Sequence, residues 1–206
     1  MSISWHTAPH VYLTVSADMT AIISLNKKYS KTEKKFSVTE MTVAITARAL
    51  SEYGDINASL LDSKVIRHGT VNIGVAVALE KGLIVPVIRN AQKKDLQAIR
   101  REIADLSARA RQGGLSPEEV KGGTFTITNL GMFGVDHFAP IINPPESAIM
   151  AVCRVVDRPV VLDGAVAIRP MANLCLSFDH RLIDGALAAK FMTRVRELVE
   201  QPLLLL

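Results

Sequence analysis

The chain has 206 residues, 49% of them hydrophobic but only 5% aromatic, and a formal net charge of +4. That length fits one domain with its own core, and the aliphatic excess goes beyond what a solvated monomer needs, which suits packed sheets and subunit contacts. The charge forms no nucleic-acid module, no apolar run approaches the roughly 18 residues of a membrane helix, and the N-terminal residues lack the basic start and apolar middle of a secretory signal, so a soluble protein is expected.

Residues 11–15 are a β-branched and aromatic run that predicts a strand, and Asp18 is placed to cap a helix reaching about Lys28. Lys27, Lys28, Lys31, Lys34 and Lys35, with Glu33 among them, make a local basic run. It reads as a solvated loop, with a phosphate-steering patch as the alternative. Residues 38–53 repeat apolar side chains at helical spacing. Residues 71–79 and 83–88 predict a hairpin across Glu80-Lys81-Gly82, with Pro86 marking an edge or a bulge. In residues 95–111, Leu96, Ile99, Ile103, Leu106 and Ala110 share one helical face; Gly113 and Gly114 stop it, and Ser116-Pro117-Glu118-Glu119 opens a short helix.

Further strands are predicted over residues 124–128 and over 155–168, the latter a pair joined by Asp163-Gly164. Another, 174–178, runs into DHRLIDG, and residues 184–200 close as an amphipathic helix. Strands mixed with helices outside the alternating order of a parallel fold predict an α+β protein, a two-layer sandwich with a mixed sheet. Cys153 and Cys175 lie in the apolar stretches AVCRVV and NLCLSF. They read as buried free thiols, neither a disulfide nor a metal clip, which points to a reducing compartment.

The stretch richest in chemistry is SFDHRLIDG, residues 177–185, where His180 follows a buried-looking strand and Asp184 starts a helix. A histidine fixed at a strand end suits a general base, since imidazole titrates at about 6.5. The alternative is a structural histidine, with Asp184 only an N-cap.

The string resembles the His-x-x-x-Asp-Gly signature of the coenzyme A acyltransferase superfamily that includes chloramphenicol acetyltransferase. Its DHRLIDG form is similar to the 2-oxoacid dehydrogenase acyltransferases. Residues 122–152, GGTFTITNLGMFGVDHFAPIINPPESAIMAV, resemble that family's GGTFTISNLG segment and its following Asn-Pro-Pro segment, here Asn143-Pro144-Pro145. Pro9-His10, Asn57-Ala58 and residues 72–86 also look like family positions, so the likeness covers almost the whole chain.

The resemblance implies a chloramphenicol acetyltransferase-like fold and a catalytic domain over residues 1–206, without a lipoyl or peripheral-subunit-binding domain and without the helical arm that usually precedes Pro9. It implies acyl transfer, with acetyl favoured by NLGMFG, between a dihydrolipoyl thiol and coenzyme A, with no covalent acyl-enzyme and no metal. His180 matches the base, Thr128 the hydroxyl that stabilises the oxyanion, and Asp184 the group that braces the histidine loop. Asn129 and Gly131 shape the strand end, through contact with coenzyme A or through a turn in which Gly131 permits positive φ. The family's acidic residue near coenzyme A falls, in an ungapped reading, on apolar Leu60, which leaves Asp62 as the nearest acid.

The expected partners are two further copies in a homotrimer, trimers joined into a cubic or icosahedral core, a lipoyl group on a separate domain or chain, and the other subunits of the complex. Neither nucleic acid nor membrane is expected as a partner. The location implied is the cytoplasm, or the mitochondrial matrix in a eukaryote. The rival readings are a stand-alone coenzyme A-dependent acetyltransferase with another acceptor and a scaffold subunit without catalysis. The terminal Leu203 to Leu206, with no polar residue among them, need an apolar partner, either their own domain or, as the resemblance implies, a neighbouring trimer.

Overall fold

A computed structural model describes residues 2–29 and 35–205. Lys31, Glu33 and Lys34 of the basic run, and Leu206, lie outside the described residues. In chain order the elements are α1 (Ser2–Thr7), β1 (His10–Asp18), α2 (Thr20–Lys28), α3 (Val38–Glu52), β2 (Ala58–Leu61), β3 (Lys64–Arg67), β4 (Ile73–Val75), β5 (Val77–Ala78), β6 (Leu83–Ile84), β7 (Val87–Ile88), α4 (Leu96–Arg111), β8 (Phe125–Asn129), β9 (Ala148–Val152), β10 (Val156–Leu162), β11 (Ala165–Asp179) and α5 (Gly185–Glu200).

Seven strands make one sheet in the order β1-β11-β9-β8-β4-β7, with β10 also paired to β11. The pairs β4–β8 and β8–β9 are parallel and the others antiparallel, so the sheet is mixed. Side chains alternate across a strand. Phe125 and Ile127 of β8, Met150 and Val152 of β9, and Leu174, Leu176 and Phe178 of β11 enter one core with Ile45 of α3, Ile99 of α4 and Phe191 of α5. The opposite face carries Thr126, Thr128, Ile149, Ala151, Cys175 and Ser177, and Phe138 packs against it on Ala151, Cys153 and Cys175. Helices on one face of a mixed sheet give the expected two-layer α+β sandwich.

Local chemistry accounts for most element boundaries. Ser37 and Glu40 form a capping box on α3, and Asp95 caps α4 through the Ala98 N–H at 2.7 Å. The Ser116-Pro117 segment has its capping box too, but the turn it opens, Pro117–Val120, is a 3-10 helix. Asp18 does not cap α2 from the position expected. It is the last residue of β1; Met19 is the N-cap, and Asp18 Oδ1 accepts the Thr20 N–H at 2.8 Å. Pro86 is at an edge, since β7 ends the sheet, and the pairs Val77–Ile84 and Gly74–Val87 keep one register, so there is no bulge.

Two strands expected over 165–168 and 174–178 are one, β11, of 15 residues. Pro170 does not break it, because its carbonyl accepts the Met19 N–H beyond the end of β1, where the missing proline N–H has no ladder partner to satisfy. Strand β9 lacks alternation because all five residues of AIMAV are buried. The hairpin β2–β3 was hidden in an unpatterned stretch; Asp62 and Ser63 take positive φ, 47° and 63°, at its two-residue turn.

Cys153 and Cys175 are free and buried, as expected, with Sγ atoms 3.9 Å apart. Burial and the neighbouring Cys175 push the Cys153 thiol up to about 12.

Phe191 is fully buried and meets Phe125 and Tyr53 with ring centroids 6.0 Å away in both cases. Phe191→Ala should therefore lower stability by about 3–5 kcal/mol. A denaturation midpoint that falls with an unchanged m value is the expected readout.

Candidate active site

Strand β8 carries Thr128 to its C-terminal end on the face away from the helices. Thr128 is half-buried and lines two hollows, of about 250 and 490 Å³. Asn129 beside it is a structural link. Its Nδ2 donates to Thr39 Oγ1 at 2.9 Å, at the start of α3, while its Oδ1 accepts the Gly131 N–H at 2.8 Å. Gly131 serves close approach and not positive φ: a Cβ there would stand 2.7 Å from the Cys153 carbonyl oxygen. The left-handed residue of this turn is Gly134, with φ 78°.

His180 follows the last residue of β11 and is exposed. Its backbone N–H donates to the Pro9 carbonyl at 3.0 Å, and its ring lies 6.0 Å from that of Phe178. The loop is fixed from below by Asp179, only 4% exposed. The Asp179 carboxylate accepts the Arg181 N–H at 3.0 Å and grips the Arg181 guanidinium at 2.6 to 3.1 Å. Its carbonyl also accepts the N–H groups of Leu182 and Ile183. The paired carboxylate raises the pKa of the Arg181 guanidinium above its usual value. Asp184 is exposed and caps α5, accepting the Leu187 N–H at 2.7 Å. Among the described residues it makes no hydrogen bond to His180, so the capping role is the one with a visible partner.

Thr128 and His180 do not meet within one chain. Thr128 pairs with Ala151, and Ala151 with Cys175 across the next strand; His180 lies five positions further along β11. At about 3.3 Å per residue along the strand and about 4.8 Å between strands, their Cα atoms are roughly 19 Å apart, at opposite ends of the sheet. Asp62 belongs with the His180 end. It sits exposed at the β2–β3 turn, and Leu60 and Leu61 line a hollow of about 210 Å³ together with Asp179 and Arg181. The candidate residues thus divide into two half-sites, Thr128, Asn129 and Gly131 against His180, Asp184 and Asp62. Among the described residues no group of three or more His, Cys, Asp or Glu is placed to hold a metal ion.

Two acids escaped sequence reasoning. Asp179 carried a signal, an acidic residue ending an apolar strand, which is rare unless paired. Glu146 is the one charged residue of the run PPESAIMAV and is only 6% exposed. Its Oε1 accepts from Asn143 Nδ2 at 3.1 Å, and its Oε2 has no hydrogen-bond partner. Burial pushes its carboxyl up to about 7, against the opposing effect of the nearby Thr126 hydroxyl and Asn143 amide.

The folded protein therefore keeps the Glu146 proton up to about 7, whereas the unfolded chain releases it near 4.5. Stability should be fullest below pH 4.5 as far as this group is concerned and should be lost as pH rises through 7. The loss amounts to about 3 kcal/mol. Urea unfolding of wild type and Glu146→Gln between pH 5 and 8 checks this, the expected outcome being a flatter pH slope in the variant.

Known proteins share this architecture. The dihydrolipoyllysine-residue acetyltransferase component of the pyruvate dehydrogenase complex of Zymomonas mobilis is 41% identical over 199 residues, 95% of this chain and 45% of that protein. A Haemophilus influenzae succinyltransferase component of the 2-oxoglutarate dehydrogenase complex is 41% identical over 92% of the chain and 47% of its own length. A Bacillus subtilis lipoamide acyltransferase component of the branched-chain alpha-keto acid dehydrogenase complex is 39% identical over 93% and 47%. The chain spans about half the length of these curated relatives.

Among solved structures, one of the Azotobacter vinelandii dihydrolipoamide acetyltransferase superposes with a TM-score of 0.96 at 36% identity, covering 99% of this chain and 86% of that one. The cubic core of the pyruvate dehydrogenase multienzyme complex gives 0.96 at 37%, with the same coverage. Chloramphenicol acetyltransferase gives 0.60 at 11% identity over 96% and 92%, a likeness of fold alone. With residues 1–206 matched throughout by the family model of the 2-oxoacid dehydrogenases acyltransferase catalytic domain, the chain belongs to that family.

Proposed function

We propose that the protein transfers an acyl group, acetyl in the first instance, between a dihydrolipoyl thiol and the thiol of coenzyme A, at a site that two subunits complete. The observation that carries this is the distance between the half-sites. Thr128 opens at one end of the sheet and the locked His180 loop at the other, so one chain cannot bring both to a single thioester. A closed ring of three identical subunits lets each end meet the other end of a neighbour. The Azotobacter structure comes from work on a serine, a histidine and an asparagine in that enzyme's catalytic mechanism. Thr128, His180 and Asp184 stand at the same chain separations and retain the hydroxyl, the imidazole and a polar helix cap.

In this reading His180 takes the proton of the incoming thiol. Between a free thiol and a free imidazole that transfer costs only about 2.7 kcal/mol, which one base can support. The thiolate adds to the thioester carbonyl while the Thr128 hydroxyl of the neighbouring subunit donates to the oxygen that gains charge. His180 then returns the proton to the leaving thiol as the carbonyl re-forms. Asp179 holds the base through Arg181 and the loop backbone, and Asp184 anchors the same loop to α5. The larger hollow beside Thr128, with Arg111, Ser37 and Thr39 in its wall, offers the polar contacts a coenzyme A arm needs, and Asn129 and Gly131 shape its edge. Asp62 is assigned to the arm that enters from the His180 end. The lipoyl group arrives on a separate domain or chain. The compartment is the one that houses such a complex, the cytoplasm of a bacterium or the mitochondrial matrix of a eukaryote.

His180→Ala and Thr128→Ala should each lower kcat by about 10²–10⁴. Mixed in equal amounts under subunit exchange, they should recover about a quarter of wild-type sites, the statistical share of interfaces that pair an intact His180 with an intact Thr128. Dihydrolipoamide turnover with acetyl-coenzyme A measures both. No recovery despite proven exchange would place the site within one chain.

Assembly beyond the trimer is assigned to the C-terminus. Residues Pro202–Leu205 form a 3-10 turn on which Leu203 and Leu204 are 71% and 47% exposed. Beside it lies a hollow of about 390 Å³ lined by Leu25, Tyr29, Phe36 and Met41. A two-fold contact would seat each tail in the other copy's hollow, an isologous exchange. Deleting Leu203 to Leu206 should leave an active trimer and abolish the larger particle, as read by light scattering.

A further inference from the structure

The relatives include acetyl, succinyl and branched-chain enzymes at nearly equal identity, 41%, 41% and 39%, so likeness leaves the acyl group open. The hollows beside Thr128 speak to it. Thr128 borders both, and the larger one holds the polar wall suited to a thiol-bearing arm. A carbonyl oxygen within about 3 Å of the Thr128 hydroxyl places the remainder of the acyl group at the mouth of the smaller.

That smaller hollow is walled by Leu83, Val85, Phe138 and Ile149, and none of its lining residues carries a charge. Its polar groups besides Thr128 are Asn143 and Thr126. Thr126 is 1% exposed, and its hydroxyl lies between this hollow and the Glu146 carboxyl. Behind it stands Glu146, an acid in place of the cation that a bound carboxylate would need. A carboxylate taken into such a place would lose part of its hydration and meet no cation from this chain's wall. An aliphatic chain would lose nothing. The volume, about 250 Å³, equals roughly eight water-sized groups of about 30 Å³, so an acetyl group leaves most of it empty.

We propose that the hollow formed by Leu83, Val85, Thr126, Phe138 and Ile149 beside Thr128 is the acyl-chain pocket, and that it accepts uncharged aliphatic chains, branched ones included, while excluding chains that end in a carboxylate. The proposal rests on the acyl-transfer reading above.

The test uses the full assembled protein with dihydrolipoamide as acceptor and acetyl-, propionyl-, isobutyryl- and succinyl-coenzyme A as donors. The kcat/KM values of the first three should lie within about tenfold of one another, with succinyl at least 100-fold lower, a range that pocket contacts of this kind provide. Ile149→Phe, which fills the pocket, should lower the isobutyryl-to-acetyl ratio by about tenfold or more, and Ile149→Ala should raise it. If the larger side chain prevents folding, the smaller one decides. Succinyl used as well as acetyl, isobutyryl at least 100-fold worse than acetyl, or a ratio unmoved by the Ile149 variants would each overturn the pocket. Absence of turnover with every donor, in a protein that assembles, would instead overturn the acyl-transfer reading and the pocket with it.

Discussion

The register of β11 is the constraint on which the site depends. This strand pairs with β1 along one edge and with β9 and β10 along the other, so a slip by one residue would turn Leu174, Leu176 and Phe178 out of the core. The same register places Cys175 level with Thr128 and sends His180 past the far end of the sheet. Core packing and the distance between the two half-sites are therefore one fact. No side-chain rotamer or loop movement of ordinary size spans a gap of roughly 19 Å set by strand geometry.

Two buried acids near the site show how environment divides roles between like groups. Asp179 is buried with Arg181 gripping both carboxylate oxygens, and in that pairing it positions the histidine loop. Glu146 is buried beside an amide and a hydroxyl, with no cation, and burial favours its neutral form. The first fixes the loop that carries His180. The second lies between the Thr126 strand and the Asn143 segment, where an added positive charge would have suited a carboxylate substrate and is absent from the hollow's lining.

The proposed assembly would cover the exposed apolar residues. Pro159, Val161, Val166 and Ile168 lie on one face of the β10–β11 ribbon by their pairing, and Val161, Val166 and Ile168 are each more than 70% exposed. Ile3 and Trp5 of α1, Met132 and Phe133 beside the larger hollow, and Leu203 at the C-terminal turn add to them. Surface of this extent costs solubility in a monomer, and it is distributed where two ends of the sheet and a terminal turn would meet other copies.

The residues alone determined the helices at 38–52, 96–111 and 185–200, because each combines helical apolar spacing with a capping side chain, Ser37, Asp95 or Asp184. They determined the hairpin at Asp163-Gly164 through its turn chemistry, and, through DHRLIDG and GGTFTITNLG, the family and the candidate groups His180 and Thr128. Local sequence was silent where a strand is buried on both faces, as β9 is, since an unbroken apolar run has no period to read. It missed the β2–β3 hairpin, whose Asp62 and Ser63 adopt positive φ without the expected glycine. It also misjudged Gly131, whose constraint is a carbonyl from Cys153, more than twenty residues away in the chain. Only the tertiary structure decided that Asp179 locks the loop, that Glu146 is buried without a cation, and that Thr128 and His180 face opposite ends of the sheet. Those are consequences of strand order and register, which arise from contacts between distant segments and leave no spacing in any one of them.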